Sequence, residues 1–595
     1  MSTAPEEGVK FDATDGLNSS PSLTDHSLTN RLRQTISRRW DVAVVLGLAI
    51  VLWLPRLSGP IDLRYDAGVY YLLGTSLAAG HGYRIQSEPG SPQALQYPPL
   101  LPAIVAVYQT ALGTSDPVIV GQWLRRSYAV LFAVYALAAL ALAKRFLPPA
   151  LAVMTVVLCL LHSDTIFLCD LLFAELPFAV VAIAFVLLAG NFRSSSHSWL
   201  SESASFILAA TGFLLRTAGL ALLVAWVLEA LTRWKWRTAF ARAAFAVIPV
   251  VAWQAYVSHV RRSDHYAHPA YEYQRASYQY YNVSYTENVF LVDPFKPELG
   301  HITPAALVSR LTTNSAQLLE AFGEVVSTSR AEWRALVNRL QRELFHNVIS
   351  PSWFIFVPIF FLAAFVISGF FILGSRKAWL MILLLLVSAG LALTTPWPAQ
   401  FLRYLSPLII FLDLCFILAL SSFGSVLAHR GPRARTLARA AFVAVLSVAF
   451  GTEAFTAVRL YHLRGKPEAI VFDPGKDRSY RLFAHDETWR DWEKAVDWVN
   501  TNAPRDAIVA TTAPHFCYLL TGLRAVLPPM EPDAFKARQL LAAVPVSYVI
   551  IDNLEFLNSA RRYARPAVER DPTEWRLAQS LGKTKTYEHI PPPRR

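Results

Sequence analysis

Apolar runs of about 20 residues recur from residue 41 to residue 456, each about long enough to cross a bilayer as a helix. The chain of 595 residues is 54% hydrophobic and only 16% charged, too little charge for a soluble protein of this size. The sequence therefore reads as an α-helical polytopic membrane protein.

The apolar runs place spans near 41–58, 122–144, 149–163, 173–190, 203–216, 217–232, 238–258, 352–374, 378–394, 402–424 and 437–456, about eleven in all. Span 149–163 is short, and the spans on either side of Arg216/Thr217 meet without a loop. Arg31, Arg33, Arg38 and Arg39 precede the first span and put the N-terminus in the cytoplasm. With that orientation Lys144/Arg145, Arg193, Arg233/Lys235/Arg237, Arg376/Lys377 and Arg430/Arg433/Arg435/Arg439 all fall on the cytoplasmic side. The net charge of +12 is then largely an arginine set facing anionic membrane lipid. Its dispersal among short loops argues against nucleic-acid binding. Three domains follow. Residues 1–40 are a Ser/Thr/Asp/Asn-rich disordered cytoplasmic tail. Residues 41–458 form the transmembrane domain, with external loops 59–121 and 259–351. Residues 459–595 form a periplasmic α/β domain. No cleavable signal peptide is evident, and the basic short loops fit a bacterial inner (plasma) membrane.

Prolines 98, 99 and 102 make 98–113 an interfacial helix at the outer face rather than a span. Residues 266–285 carry seven tyrosines, suited to sugar recognition or to an interfacial aromatic belt. Residues 303–345 have helical periodicity and predict one or two helices over the membrane face. Beyond residue 460, helical 487–502, apolar 507–512, helical PDAFKARQLLAAV and strand-like 546–552 alternate as in an α/β unit.

The sequence has no P-loop, no strand-flanked G-x-G-x-x-G, no H-E-x-x-H and no G-x-S-x-G. The cytoplasmic loops are too short for a nucleotide-binding domain, so a substrate must reach the outer face. Four cysteines without paired spacing, Cys159 and Cys415 among them within expected spans, argue against a disulfide framework or thiolate metal site. Carboxylates and arginines gather where spans emerge outside: Asp62 and Asp66; Asp164, Asp170 and Glu175; Arg64, Arg84, Arg125/Arg126, Arg216 and Arg403. Surface ion pairs account for many such groups. Arg216 in FLLRTAGL and Arg403 in QFLRYLSPL sit among apolar residues, where an unpaired charge is costly and an anion is wanted.

Five short motifs occur in order along the chain: Asp66-Ala-Gly-Val-Tyr70, Tyr97-Pro98-Pro99-Leu100, Glu175-Leu176-Pro177-Phe178, Arg216-Thr-Ala-Gly219-Leu220, and Arg403-Tyr404 with Pro407. Together they resemble the GT-C superfamily of membrane glycosyltransferases. The nearest outline is that of the bacterial relatives of protein O-mannosyltransferases and of the lipid A aminoarabinose transferase. Two positions depart from the family pattern. Ala67 stands where an adjacent second carboxylate occurs, and Tyr97 where some relatives carry a lysine, so phosphate binding rests on arginines.

The resemblance implies a GT-C-like fold and an inverting transfer from a polyprenyl-phosphate-linked sugar donor to a hydroxyl of a lipid, glycan or protein acceptor. Asp66 would be the general base, and Glu175 would orient the acceptor, help position Asp66 or hold a cation. Arg216, Arg403 and Arg126 would stabilise the leaving phosphate, with Tyr70, Tyr97 and Tyr404 lining the substrate site. A divalent cation is compatible with Asp66 and Glu175, although no ligand spacing demands one, and Asp62 reads as a helix-end residue. Other functions that fit the same features are a transporter or flippase of polyprenyl-linked lipid and a glycan polymerase or ligase.

Overall fold

All eleven expected spans fall on helices in the computed structural model, which describes residues 39–190, 199–279, 281–344, 353–472 and 479–590. They are Trp40–Trp53, Pro117–Ala143, Pro149–Leu161, Glu175–Ala189, Trp199–Leu215, Leu220–Thr232, Trp236–Arg261, Trp353–Ser375, Trp379–Thr394, Ile409–Ala428 and Pro432–Arg464. Among the described residues, Pro117–Ala143, Trp236–Arg261, Ile355–Ser375, Pro398–Leu427 and Pro432–Arg464 are long and apolar enough to cross a membrane by themselves. Exposed Ile50, Val51, Val130, Ile248 and Phe371 on the outer faces are what a helix presents to lipid. The protein is a multipass helical membrane protein with a C-terminal α/β domain. Apart from Arg39 and Trp40, the N-terminal tail lies outside the described residues.

The loop after the first span folds into two packed helices, Asp66–Ala78 and Leu100–Leu112. A Cβ on Gly74 would lie 2.6 Å from the Val105 side chain, so the small residue permits their close approach. Gly113, at φ +63°, ends the second helix in a left-handed turn. The amphipathic 303–345 region forms two helices, Pro304–Val325 and Arg330–Leu344. The first enters the bundle, where Gly323 lies against the backbone of Ile359.

In the C-terminal domain Asp486 caps helix Glu487–Asn502, which buries Trp489, Trp492, Ala495, Val496 and Val499 on one face. Strands β1 Ile470–Phe472 and β2 Ser479–Arg481 pair antiparallel, and the main sheet has the order β4-β3-β5-β7-β6, with β3 Ile508–Ala510, β4 Arg524–Val526, β5 Tyr548–Ile551, β6 Trp575–Leu581 and β7 Thr584–His589. β3 pairs parallel with β4 and β5, while β7 runs antiparallel to β5 and β6. The β6–β7 hairpin lies beyond the helix–strand alternation legible in the sequence.

The tyrosine-rich segment has a third role besides the two expected of it. Tyr271, Tyr273 and Tyr278 are buried in a core shared with Val526, Val549 and Leu541 of the C-terminal domain. The first loop joins the same seam, because Ala525 N–H donates to the Ser87 carbonyl at 2.8 Å and Leu95 N–H to the Tyr281 carbonyl at 2.8 Å.

Candidate active site

Asp66 and Glu175 are each the first residue of a helix, Asp66–Ala78 and Glu175–Ala189, where the positive end of the helix dipole favours a carboxylate. Arg403 joins them. Its Nη2 donates to Asp66 Oδ2 at 2.5 Å and its Nε to Glu175 Oε1 at 3.1 Å. Arg216 Nη1 lies 3.1 Å from the same Glu175 oxygen. Two guanidiniums and two carboxylates thus come together from positions far apart in sequence.

Breaks in the helices put both arginines there. Arg216 is extended, between helix Trp199–Leu215 and the 3₁₀ turn Thr217–Gly219. A Cβ on Gly219 would lie 2.3 Å from the backbone of Gly212, so only glycine fits. Arg403 lies on the short helix Phe401–Leu405, followed by a 3₁₀ turn that contains Pro407. Its guanidinium rests 4.5 Å from the centroid of Phe173.

Tyr97 O–H donates to Asp66 Oδ1 at 3.3 Å, and the Tyr97 ring meets Tyr70 edge-on at 5.0 Å. Burial, with Asp66 and Glu175 adding to it, raises the Tyr70 phenol above its usual range and keeps it protonated. Tyr404 O–H donates to Gln400 Oε1 at 3.1 Å. Asp66 and Arg403 remain 27% and 26% exposed, whereas Glu175 is 6% exposed, so the first two are open to a ligand. Beside them a cavity of about 380 Å³ is lined by Arg216, Tyr404 and Tyr285 together with apolar Phe178, Trp253 and Leu408. Asp164 shares a smaller cavity with Glu175.

Tyr65 precedes Asp66 at φ +56°, a backbone region costly for a residue with a Cβ. Edge-on contacts to Trp489 at 5.6 Å and Phe556 at 5.2 Å hold it there. The C-terminal domain therefore clamps the peptide that presents Asp66. His515 of that domain packs on Gly68 and bonds Ser87 Oγ at 2.8 Å, and burial lowers its pKa to about 4.

Other sequence candidates lie elsewhere. Arg126 is exposed and stacks on Trp123, outside this cluster, while its neighbour Arg125 is buried in an ion pair with Asp170. Asp62 is more than a helix-end residue: it forms a buried pair with Arg64 at 2.7 Å, and Arg64 also donates to the Phe483 and Ala484 carbonyls. Phe173, beneath Arg403, was missed, and a lone phenylalanine before an acidic helix start gives no separate signal. For a divalent cation the donor set does not fit. Both carboxylates are turned onto Arg403, and among the described residues no group of three His, Cys, Asp or Glu could hold a metal.

No family model and no curated protein matches the sequence. Solved structures match the fold. The archaeal oligosaccharyltransferase AglB from Archaeoglobus fulgidus, in complex with an inhibitory peptide and a dolichol-phosphate, aligns with TM-score 0.50 at 11% identity over 87% of this chain and 69% of that one. ArnT from Cupriavidus metallidurans, bound to undecaprenyl phosphate, aligns with TM-score 0.49 at 12% identity over 92% of this chain and 98% of that one. The likeness to the oligosaccharyltransferase is one of fold alone, over the helical membrane part and the C-terminal α/β domain together.

Proposed function

We propose that this protein is an inverting glycosyltransferase of a bacterial inner membrane, with its N-terminus cytoplasmic and its C-terminal domain periplasmic. It would move a sugar from a polyprenyl-phosphate carrier to an acceptor hydroxyl of a lipid, glycan or protein at the outer face. The observation that carries this reading is Arg403 bridging Asp66 and Glu175, with Arg216 both on Glu175 and in the wall of an apolar cavity. An amphipathic donor suits such a place: isoprenoid chain in the cavity, phosphate on the guanidiniums. The dolichol-phosphate in the oligosaccharyltransferase of like fold supports that donor class.

In this reading the donor phosphate competes with the carboxylates for Arg403 and Arg216. As Arg403 turns to the phosphate, the Asp66 carboxylate is released to take the acceptor proton. The acceptor oxygen attacks the anomeric carbon from the face opposite the phosphate, the carbon–oxygen bond to phosphate breaks, and the configuration inverts. Phosphate is a good leaving group and needs charge stabilisation rather than a general acid, which the two arginines supply. Tyr97 and Tyr70 keep the Asp66 carboxylate oriented.

Asp66→Asn keeps the shape and removes the base. Mass spectrometry of lipid extracts should then show build-up of a glycosylated polyprenyl phosphate, with transfer reduced by at least ~100-fold. Unchanged lipids, with the variant inserted and as stable as wild type, would sink the assignment.

A further inference from the structure

Away from the Asp66 cluster, three arginines meet where the first and last spans reach the C-terminal domain. Arg56 is 0%, Arg125 1% and Arg464 4% exposed. The backbone ties them to one place. Arg125 Nε donates to the Pro60 carbonyl at 2.7 Å, and its Nη1 to the Arg56 carbonyl at 2.9 Å and to Asp170 Oδ1 at 2.7 Å. Arg464 Nη1 donates to the Pro55 carbonyl at 2.6 Å. The Arg56 and Arg464 guanidiniums pack on the same Phe483 ring, at 5.2 and 5.1 Å from its centroid.

The charges here do not balance. Asp170 interacts with all three arginines, and its neighbour Asp62 is neutralised by Arg64. Three positive groups around one negative group leave a buried excess of two positive charges among the described residues. The hydrogen bonds do not balance either. Arg56 Nη1 and Nη2, Arg125 Nη2, and Arg464 Nε and Nη2 are buried without a hydrogen-bond partner among the described residues. Buried ionised donors left unpaired cost several kcal/mol, and native proteins rarely carry them without a bound ion or water. Guanidinium forks match tetrahedral oxyanions in charge and geometry.

We propose that Arg56, Arg125 and Arg464 form a buried oxyanion site, separate from the Asp66 cluster, that takes a phosphate- or sulfate-class group as a free ion or as a lipid headgroup. The bound anion neutralises the excess charge and ties the first span, the last span and the C-terminal domain together.

The test uses the full-length protein in neutral detergent, exchanged into phosphate- and sulfate-free buffer. Tm is followed against inorganic phosphate, with chloride at matched ionic strength as reference, and native mass spectra are recorded in parallel. A Tm that climbs with the logarithm of phosphate concentration is expected. The response should persist in Arg403→Gln and vanish in Arg56→Gln and Arg464→Gln. A phospholipid-mass adduct lost in Arg56→Gln would support the site with a lipid headgroup as the source. A phosphate response without an adduct supports it with the free ion. Neither a response nor an adduct in wild type overturns the proposal, as does a response lost in Arg403→Gln but kept in Arg56→Gln. Should Arg56→Gln fail to fold, Arg56→Lys keeps the charge and removes the fork. A weakened response or adduct there supports the site, and both at full strength overturn it.

Discussion

Glu88 is wholly buried where the first loop, the tyrosine-rich segment and the C-terminal domain meet. Tyr271 O–H donates to its Oε2 at 2.6 Å, and burial raises its pKa from 4.5 to about 7. Between those values the folded protein keeps a proton that the unfolded chain has released. Glu88 therefore contributes stability below about pH 4.5 and loses it as pH rises through about 7. His515, lowered from 6.5 to about 4, has the opposite slope over much of that range and masks the effect in wild type. In Glu88→Gln the rising His515 trend should be exposed. The wild-type-minus-variant stability difference should fall by on the order of 3 kcal/mol from pH 4 to pH 8. Parallel Tm–pH profiles for the two proteins would show that Glu88 titrates normally. Arg125 and Arg126 are adjacent, and choosing between them needs the helix phase: Gly121, Leu124, Tyr128 and Phe132 share the buried face with Arg125, while Trp123 and Val130 share the exposed face with Arg126.

Helix breaks, more than helices, build the candidate site. The cut between Arg216 and Thr217 was legible because two apolar runs met there without a loop, and the chain is indeed extended at Arg216. The tight approach of Gly219 to Gly212 fixes the angle of that break. Gly219→Ala should force backbone apart, cost about 1–3 kcal/mol or more and move Arg216. A shift of about 1 Å in a positioning group costs ~100-fold in rate. Glycosyl transfer should thus fall far more than Tm, and a variant with wild-type transfer would show that the break tolerates a methyl group. The Arg403 break was not legible: the span expected at 402–424 runs through Arg403 and Pro407, where the chain forms the short helix Phe401–Leu405 and a 3₁₀ turn. The tyrosine-rich segment was not legible either, since tyrosines suit a sugar, a membrane interface and a protein core alike, and only the packing of Tyr271, Tyr273 and Tyr278 decides among them.

Across the whole molecule, the C-terminal domain supports the candidate site from behind. Trp489 packs on Tyr65, stacks with Phe556 at 5.9 Å and carries the Arg64 guanidinium 5.0 Å from its ring centroid. It links the domain core to the strained residue before Asp66. Trp489→Ala should cost about 3–5 kcal/mol through the cavity it leaves. Transfer measured well below the variant's Tm should drop as well, because Tyr65 relaxes and Asp66 moves. Loss of Tm with full transfer would reduce the contact to packing alone.

The spans, the α/β character of the last domain and four charged residues that meet at the candidate site, Asp66, Glu175, Arg216 and Arg403, are legible in the sequence. These are local signals: apolar length, periodicity, and charges whose desolvation cost demands a partner. Which partner each charge takes is settled in the folded chain. That choice is set by contacts between distant segments: Arg403 onto both Asp66 and Glu175, Arg64 onto the C-terminal domain's carbonyls, and three arginines around one Asp170. Pairing energies act through space, and sequence distance carries no trace of them.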